Sequence, residues 1–111
     1  MKKITIDNFS DEVLECRKPF LLLFKSRYCH LCDGMVGIMF RIKVEYSGLI
    51  KVGYVETSED EDLTEMFELD GVPSLFFFRD GEGKELGYPE RPDLYSGYSE
   101  QDVRDHLDKL L

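Results

Sequence analysis

Residues 19–37 read PFLLLFKSRYCHLCDGMVG, and this stretch decides the fold. Its first part, Phe20 to Phe24, is a continuous apolar run. That pattern predicts a strand covered on both faces, as in a parallel sheet. A polar bend, Lys25 to Tyr28, leads into Cys29-His30-Leu31-Cys32. From Cys32 onward Met35, Val36, Met39, Phe40, Ile42 and Val44 place apolar groups through several helical turns. Gly34 and Gly37 each weaken such a helix by roughly 0.5–1 kcal/mol relative to Ala. A bend is expected at Gly37, and Gly48 suits the position just past the helix end. Two thiols therefore sit where a strand hands over to a helix.

That location suits thiol chemistry. A helix N-terminus carries roughly half a positive elementary charge and unpaired amide N–H groups. Both favour the thiolate, the nucleophilic form of cysteine. Cys32 lies one turn beyond Cys29 on the same helix face, so the sulfurs reach disulfide distance with little backbone movement. Cys29, nearer the open end, is expected to attack, and the deeper Cys32 to resolve the mixed disulfide. A protonated His30 beside Cys29 would stabilise the reduced form and make the pair more oxidising, and Arg27 would add to this. The same spacing is half of a zinc site, but zinc needs four ligands. The remaining candidates, Cys16 and His106, are not paired at ligand spacing. No metal is expected.

The rest of the chain reads as scaffold. At 111 residues it is expected to form one domain, residues 1–111. With 42% hydrophobic and 33% charged residues it is of ordinary globular composition. A net charge of −9 argues against nucleic acid, whose phosphates call for Lys and Arg, and against anionic membrane surfaces. No run approaches the ~18 apolar residues that span a bilayer. Asp7, Asp11 and Glu12 interrupt any signal-peptide core after Lys2 and Lys3. Three cysteines fit a reducing compartment with one reactive pair, so the expected location is cytoplasmic. A monomer is expected.

In order, Lys3 to Ile6 is expected to be an edge strand, and Asp7 to cap a helix over Asn8 to Cys16 that Pro19 terminates. Leu49 to Val55 is a second buried strand. Ser58 and Glu61 form a capping box before a short helix carrying Leu63, Met66, Phe67 and Leu69. The acids from Glu56 to Asp70 read as a solvated face. After Gly71-Val72-Pro73-Ser74, Leu75 to Phe78 is a strand, Asp80-Gly81 a hairpin turn, and Lys84 to Tyr88 its return. Ser99 and Asp102 cap a last helix carrying Val103, Leu107, Leu110 and Leu111. The order β-α-β-α-β-α-β-β-α implies a parallel sheet to which the final hairpin adds one antiparallel strand.

Tyr28-Cys29-His30-Leu31-Cys32 between strand and long helix, with Val72-Pro73 further on, resembles the thioredoxin family over nearly the whole chain. Phe24, the Gly71–Ser74 loop, Phe77, Phe78, Asp80, Gly81 and Gly97 extend the resemblance. It implies a thioredoxin fold: α/β, a central mixed sheet of about five strands with helices on both faces. It implies dithiol–disulfide exchange with protein disulfide substrates and a thiol reductant or oxidant, with no cofactor. Cys29 and Cys32 would be catalytic. His30, Leu31 and a cis-Pro73 would tune the pair, and Tyr28, Val72, Gly97 and Tyr98 would meet the substrate. The expected potential is less reducing than the about −270 mV of thioredoxin.

The departures are equally specific. The family's buried acid, six residues before the first cysteine, is replaced by Leu23, and the nearby lysine by Tyr54. Glu56, on the same strand face as Tyr54, is a substitute acid or a plain surface residue. Gly37 replaces the proline of the long helix, and the loop from Tyr88 to Ser96 is longer than in small thioredoxins. A thioredoxin-fold binding or adaptor module is the alternative reading, and a thiol-ligated metal site a weaker one.

Overall fold

The computed structural model describes residues 1–111. Its central strand is β2 (Phe20–Lys25), and the apolar run Phe20 to Phe24 is fully buried. Alternation along the strand splits the run between two cores. Leu21 and Leu23 face a cluster completed by the long helix and the C-terminal helix, with Met35, Met39, Ile42, Val103 and Leu107. Phe20, Leu22 and Phe24 face the opposite cluster with Ile4, Phe9, Val13, Leu63 and Phe78. The run is continuous because both faces are covered.

The other elements are β1 (Lys2–Lys3), a π-helical turn at Ser10–Leu14, α1 (His30–Glu45), β3 (Lys51–Glu56), α2 (Glu61–Glu65), β4 (Ser74–Arg79), β5 (Glu82–Leu86) and α3 (Glu100–Leu110). The sheet order is β1-β3-β2-β4-β5. β1 and β2 both run parallel to β3, β4 is antiparallel to β2, and β5 is antiparallel to β4. This is the mixed five-stranded sheet that the family resemblance implies. The reversed strand is β4, however, and not the last one. Residues 57–73 carry α2 without taking the chain back to the start of β3, so β4 enters the sheet from the end where β3 left it and pairs antiparallel with β2. No helix is long and apolar enough to cross a membrane.

Several boundaries differ from the sequence reading. The helix expected over Asn8 to Cys16 is only the short π-turn, and Asp7 does not cap it. Asn8 instead turns its side chain back, its Oδ1 accepting from the Thr5 amide at 2.8 Å. The cap of α2 is Asp60, whose Oδ1 accepts from the Leu63 amide at 2.9 Å, and not Ser58. Ser58 is engaged by Glu56. Met66, Phe40 and Val44 are exposed, because they fall off the buried stripes of their segments. α1 runs unbroken through Gly34 and Gly37. The capping box of α3 forms as read: Ser99 Oγ accepts from the Asp102 amide at 3.0 Å, and Asp102 Oδ2 from the Ser99 amide at 2.8 Å. Asp80 and Gly81, at φ of 53° and 81°, make the hairpin turn.

Candidate active site

α1 begins directly after the turn that leaves β2, and Cys29 is its N-cap. In extended backbone, the residue aims its sulfur back over the first turn, where Sγ accepts from the Cys32 amide at 3.1 Å. A thiol here does what a Ser or Asp side chain does at other helix starts. Cys29 is half-buried and Cys32 has no exposure at all. Both are free thiols. Burial first, and then the hydrogen bond with Cys29, push the Cys32 thiol up to about 12. The Ser26 backbone and the Lys25 charge oppose that rise. At neutral pH, then, Cys32 keeps its proton, and the sulfur within reach of a partner is that of Cys29.

The Val72–Pro73 peptide bond is cis. Pro73 is buried, and with Val72 it borders a hollow of about 440 Å³ that also takes in Asp70, Glu85, Tyr88 and Tyr98. Tyr98 is not an open groove ring: it is 1% exposed, and its hydroxyl donates to the Leu86 carbonyl at 2.8 Å. It belongs to the core and forms part of the hollow's floor, with the Tyr88 ring edge-on at 5.3 Å. Gly97 has φ of +75°, and a Cβ there would lie 2.7 Å from the Tyr88 hydroxyl. Both features call for glycine. Tyr28 is almost fully exposed, Leu31 half-buried and His30 exposed. Arg27 does not serve the thiols, since its guanidinium pairs with Glu59 at 2.8 Å.

The loop after β5 closes over the flank of α1. Asp93 and Gly97 exchange backbone hydrogen bonds at 2.7 and 2.9 Å, and Asp93 Oδ1 accepts from the Tyr95 amide at 2.8 Å. The loop's Tyr95 carbonyl lies where a Cβ on Gly34 would be. Leu94 and Tyr95 remain exposed. Cys16 and His106 stand away from the pair: Cys16 borders the core behind the π-turn, and His106 lines a shallow hollow on α3. No three His, Cys, Asp or Glu side chains come together as a metal-binding group.

A family model described as Thioredoxin matches residues 1–103. The chain belongs to the thioredoxin family. Thioredoxin C-2 of Corynebacterium nephridii is 30% identical to it over 78 residues, 70% of this chain and 72% of that protein. The thioredoxin of Thiocapsa roseopersicina is 30% identical over 79 residues, 71% of this chain and 87% of its own length. The chloroplastic thioredoxin Y1 of Arabidopsis thaliana is 27% identical over 81 residues, 73% of this chain and 47% of its own. As a member of the thioredoxin family this chain is a disulfide oxidoreductase with a CxxC pair.

The polar residues near the pair differ from the family's pattern. Leu23 is fully buried, opposite Tyr54 on one side and Leu75 on the other. Two residues along, Lys25 stands opposite Glu56. The Lys25 ammonium donates to Glu56 Oε1 at 2.9 Å, and Ser58 Oγ donates to Oε2 at 2.9 Å. Glu56 is therefore a buried, paired carboxylate and not part of a solvated acidic face. Burial alone would raise its ionisation range, but the bonds from Lys25 and Ser58 and the Lys25 charge outweigh that and hold it below the usual carboxylate range. Sequence reasoning overlooked Lys25. The available signal was its place at the end of the apolar run, on the same strand face as Leu23.

Proposed function

We propose that this chain exchanges its Cys29/Cys32 dithiol with disulfides of partner proteins. The Cys29 thiolate attacks one sulfur of the partner, forming a mixed disulfide and releasing the other sulfur as a thiolate. Cys32 then attacks Cys29 Sγ, closing the intramolecular disulfide and releasing the second partner thiol. The pair loses two electrons and the partner disulfide gains them. The observation that carries this reading is the contrast between the two sulfurs: Cys29 half-exposed at a helix start, Cys32 wholly enclosed behind it.

The hollow beside Val72 and Pro73 is suited to an extended partner segment. Val72 precedes β4, so its backbone lies outside the paired part of the strand. Main-chain hydrogen bonding there would hold a segment as in strand addition. Tyr28, Leu31 and Gly97 flank its path, and His30 stands exposed between the cysteines. The test is reduction of a model protein disulfide under turnover. Cys29→Ser is expected to abolish the activity, and Cys32→Ser to accumulate a mixed disulfide with the partner. Full turnover by Cys29→Ser would refute the reading.

A further inference from the structure

Seven ion pairs decorate this chain, and six have side chains at least 24% exposed. Lys25–Glu56 is the exception, at 15% and 7%. A buried pair is weak as a stabilising device, because desolvation offsets the attraction. Its place points to a use for the charge there. Both residues lie on the sheet face that α1 covers, the face of Leu21, Leu23 and Val52. Lys25 is the last residue of β2, directly before the turn that carries Ser26 and leads to Cys29. It also lines a hollow of about 450 Å³ with Tyr54 of β3 and Asp33 and Val36 of α1. Asp33 follows Cys32 directly, and Val36 lies one turn beyond it.

The chemistry sets a requirement at this position. Cys32 is enclosed and protonated, yet to close the disulfide it must present a thiolate. We propose that the Lys25 ammonium, anchored by the Glu56 carboxylate, is the charge that makes Cys32 available as the resolving thiolate. This rests on the dithiol exchange described above. Lys25 acts as a positioning residue through its field, and Glu56 holds it in place. In the resolving step the Cys32 S–H bond breaks and its proton passes to solvent water. The Cys32–Cys29 S–S bond forms, the bond from Cys29 to the partner breaks, and the partner sulfur leaves with the electron pair.

The titratable groups around this arrangement are few. Cys29, the N-cap of α1, accepts from the Cys32 amide, Lys25 at the end of β2 exerts its charge on Cys32, and Glu56 and Tyr54 of β3 flank the ammonium. Asp33 and the residue Met1 lie across the hollow. The Lys25 charge favours the Cys32 thiolate, whereas burial and Cys29 disfavour it. Glu56 stays ionised at neutral pH, so it serves as the anchor and not as the proton acceptor.

The experiment is a stopped-flow reaction of the reduced protein carrying Cys16→Ser, which removes the third free thiol, with excess aromatic disulfide dithiobis(nitrobenzoate), from pH 6 to 10.5. The first thionitrobenzoate released reports attack by Cys29, and the second reports attack by Cys32. In Lys25→Met the second release is expected to slow about threefold at each pH of this range, all of which lies below the Cys32 midpoint, through a rise of about one unit in that midpoint. A one-unit shift cuts the thiolate tenfold, and the greater nucleophilicity of a more basic thiolate recovers part of it. Lys25→Arg keeps the charge and should restore the profile. Lys25→Gln replaces the Met variant if that does not fold, and circular dichroism checks the fold of each. An unmoved second-phase profile in Lys25→Met, or no recovery in Lys25→Arg, overturns the assignment of Lys25. A Cys16→Ser protein with no second release overturns the exchange mechanism itself.

Discussion

Gly34 and Gly37 lie three residues apart on α1 and are predicted to respond to the same substitution with opposite sign. At Gly37 the nearest atom to a new Cβ is Arg41 Nη1 at 3.7 Å, an ordinary contact with a flexible side chain. Ala there gains helix propensity, about 0.8–1.0 kcal/mol. At Gly34 the new Cβ falls on the Tyr95 carbonyl, with Ser96 Cα 3.1 Å away. These are backbone atoms of a loop cross-braced by the Asp93–Gly97 hydrogen bonds. It cannot yield by a rotamer change, so the overpacking cost of about 1–3 kcal/mol applies. Set against the same propensity gain, Gly34→Ala loses about 1 kcal/mol, and the two variants differ by about 2 kcal/mol. Urea unfolding followed by circular dichroism reads this directly. With a slope of about 1–3 kcal/mol per molar, the midpoints should separate by roughly 1 M. Equal midpoints would refute the claim that the loop bears on α1. A displaced loop also moves Tyr95 and Tyr88, so Gly34→Ala should alter the rate with a protein disulfide more than with a small one.

Alkaline pH gives a second prediction. Burial raises Cys32 and Tyr98 to about 12 in the folded chain, above the ordinary thiol and phenol values of the unfolded one. Below pH about 8.5 both states are protonated at these groups and stability is independent of them; as pH rises toward 12 the unfolded chain sheds protons that the folded chain keeps. Stability should therefore fall across that window, and Cys32→Ser or Tyr98→Phe should each flatten the fall in a pH series of denaturation midpoints. The third concerns Phe67, whose ring meets Phe24 at 4.9 Å, Phe76 at 5.0 Å, Phe9 at 5.7 Å and Phe78 at 6.1 Å. Being only half-buried, it should cost somewhat less than the 3–5 kcal/mol of a core Phe→Ala, about 2–3 kcal/mol. A thermal-melt loss below ~1 kcal/mol would show that the short α2 segment does not hold the second core together.

Fold class and thiol pair were legible because they are written locally. The apolar run of β2, the helical spacing after Cys32 and the Ser99/Asp102 box each carry their own signal. What misled was competition for partners. Ser58 has the composition of an N-cap, but its hydroxyl is taken by Glu56, and Asp60 caps the helix instead. The direction of β4 depends on where residues 57–73 return the chain to the sheet, which periodicity does not report. Tyr98 looked like a groove residue from its place beside Gly97. Its ring is enclosed in the core cluster, where its hydroxyl meets the Leu86 carbonyl of β5, a placement set by the tertiary fold. The Lys25–Glu56 pair was hidden for the same reason, since only the β2–β3 register brings the two residues opposite each other.

That register also explains where the charge sits. At the level of Leu23 the sheet face is enclosed by Tyr54 on one side and Leu75 on the other, and Leu23 itself has no exposure. An ion at that level would have to be stripped of water completely. Two residues further, about 7 Å along the strand, β2 ends and the hollow under α1 opens. There an ammonium keeps a path to solvent on one side and a carboxylate on the other. The lysine lies on the strand that leads into Cys29, and the acid lies on β3 behind it. The positive member of the pair is thus the one nearer the thiols, the sign that favours a thiolate. A carboxylate in that place would oppose ionisation of Cys32 and have to act by accepting its proton. Moving the pair outward and reversing its order replaces proton acceptance with charge stabilisation, and the proton is then left to solvent water.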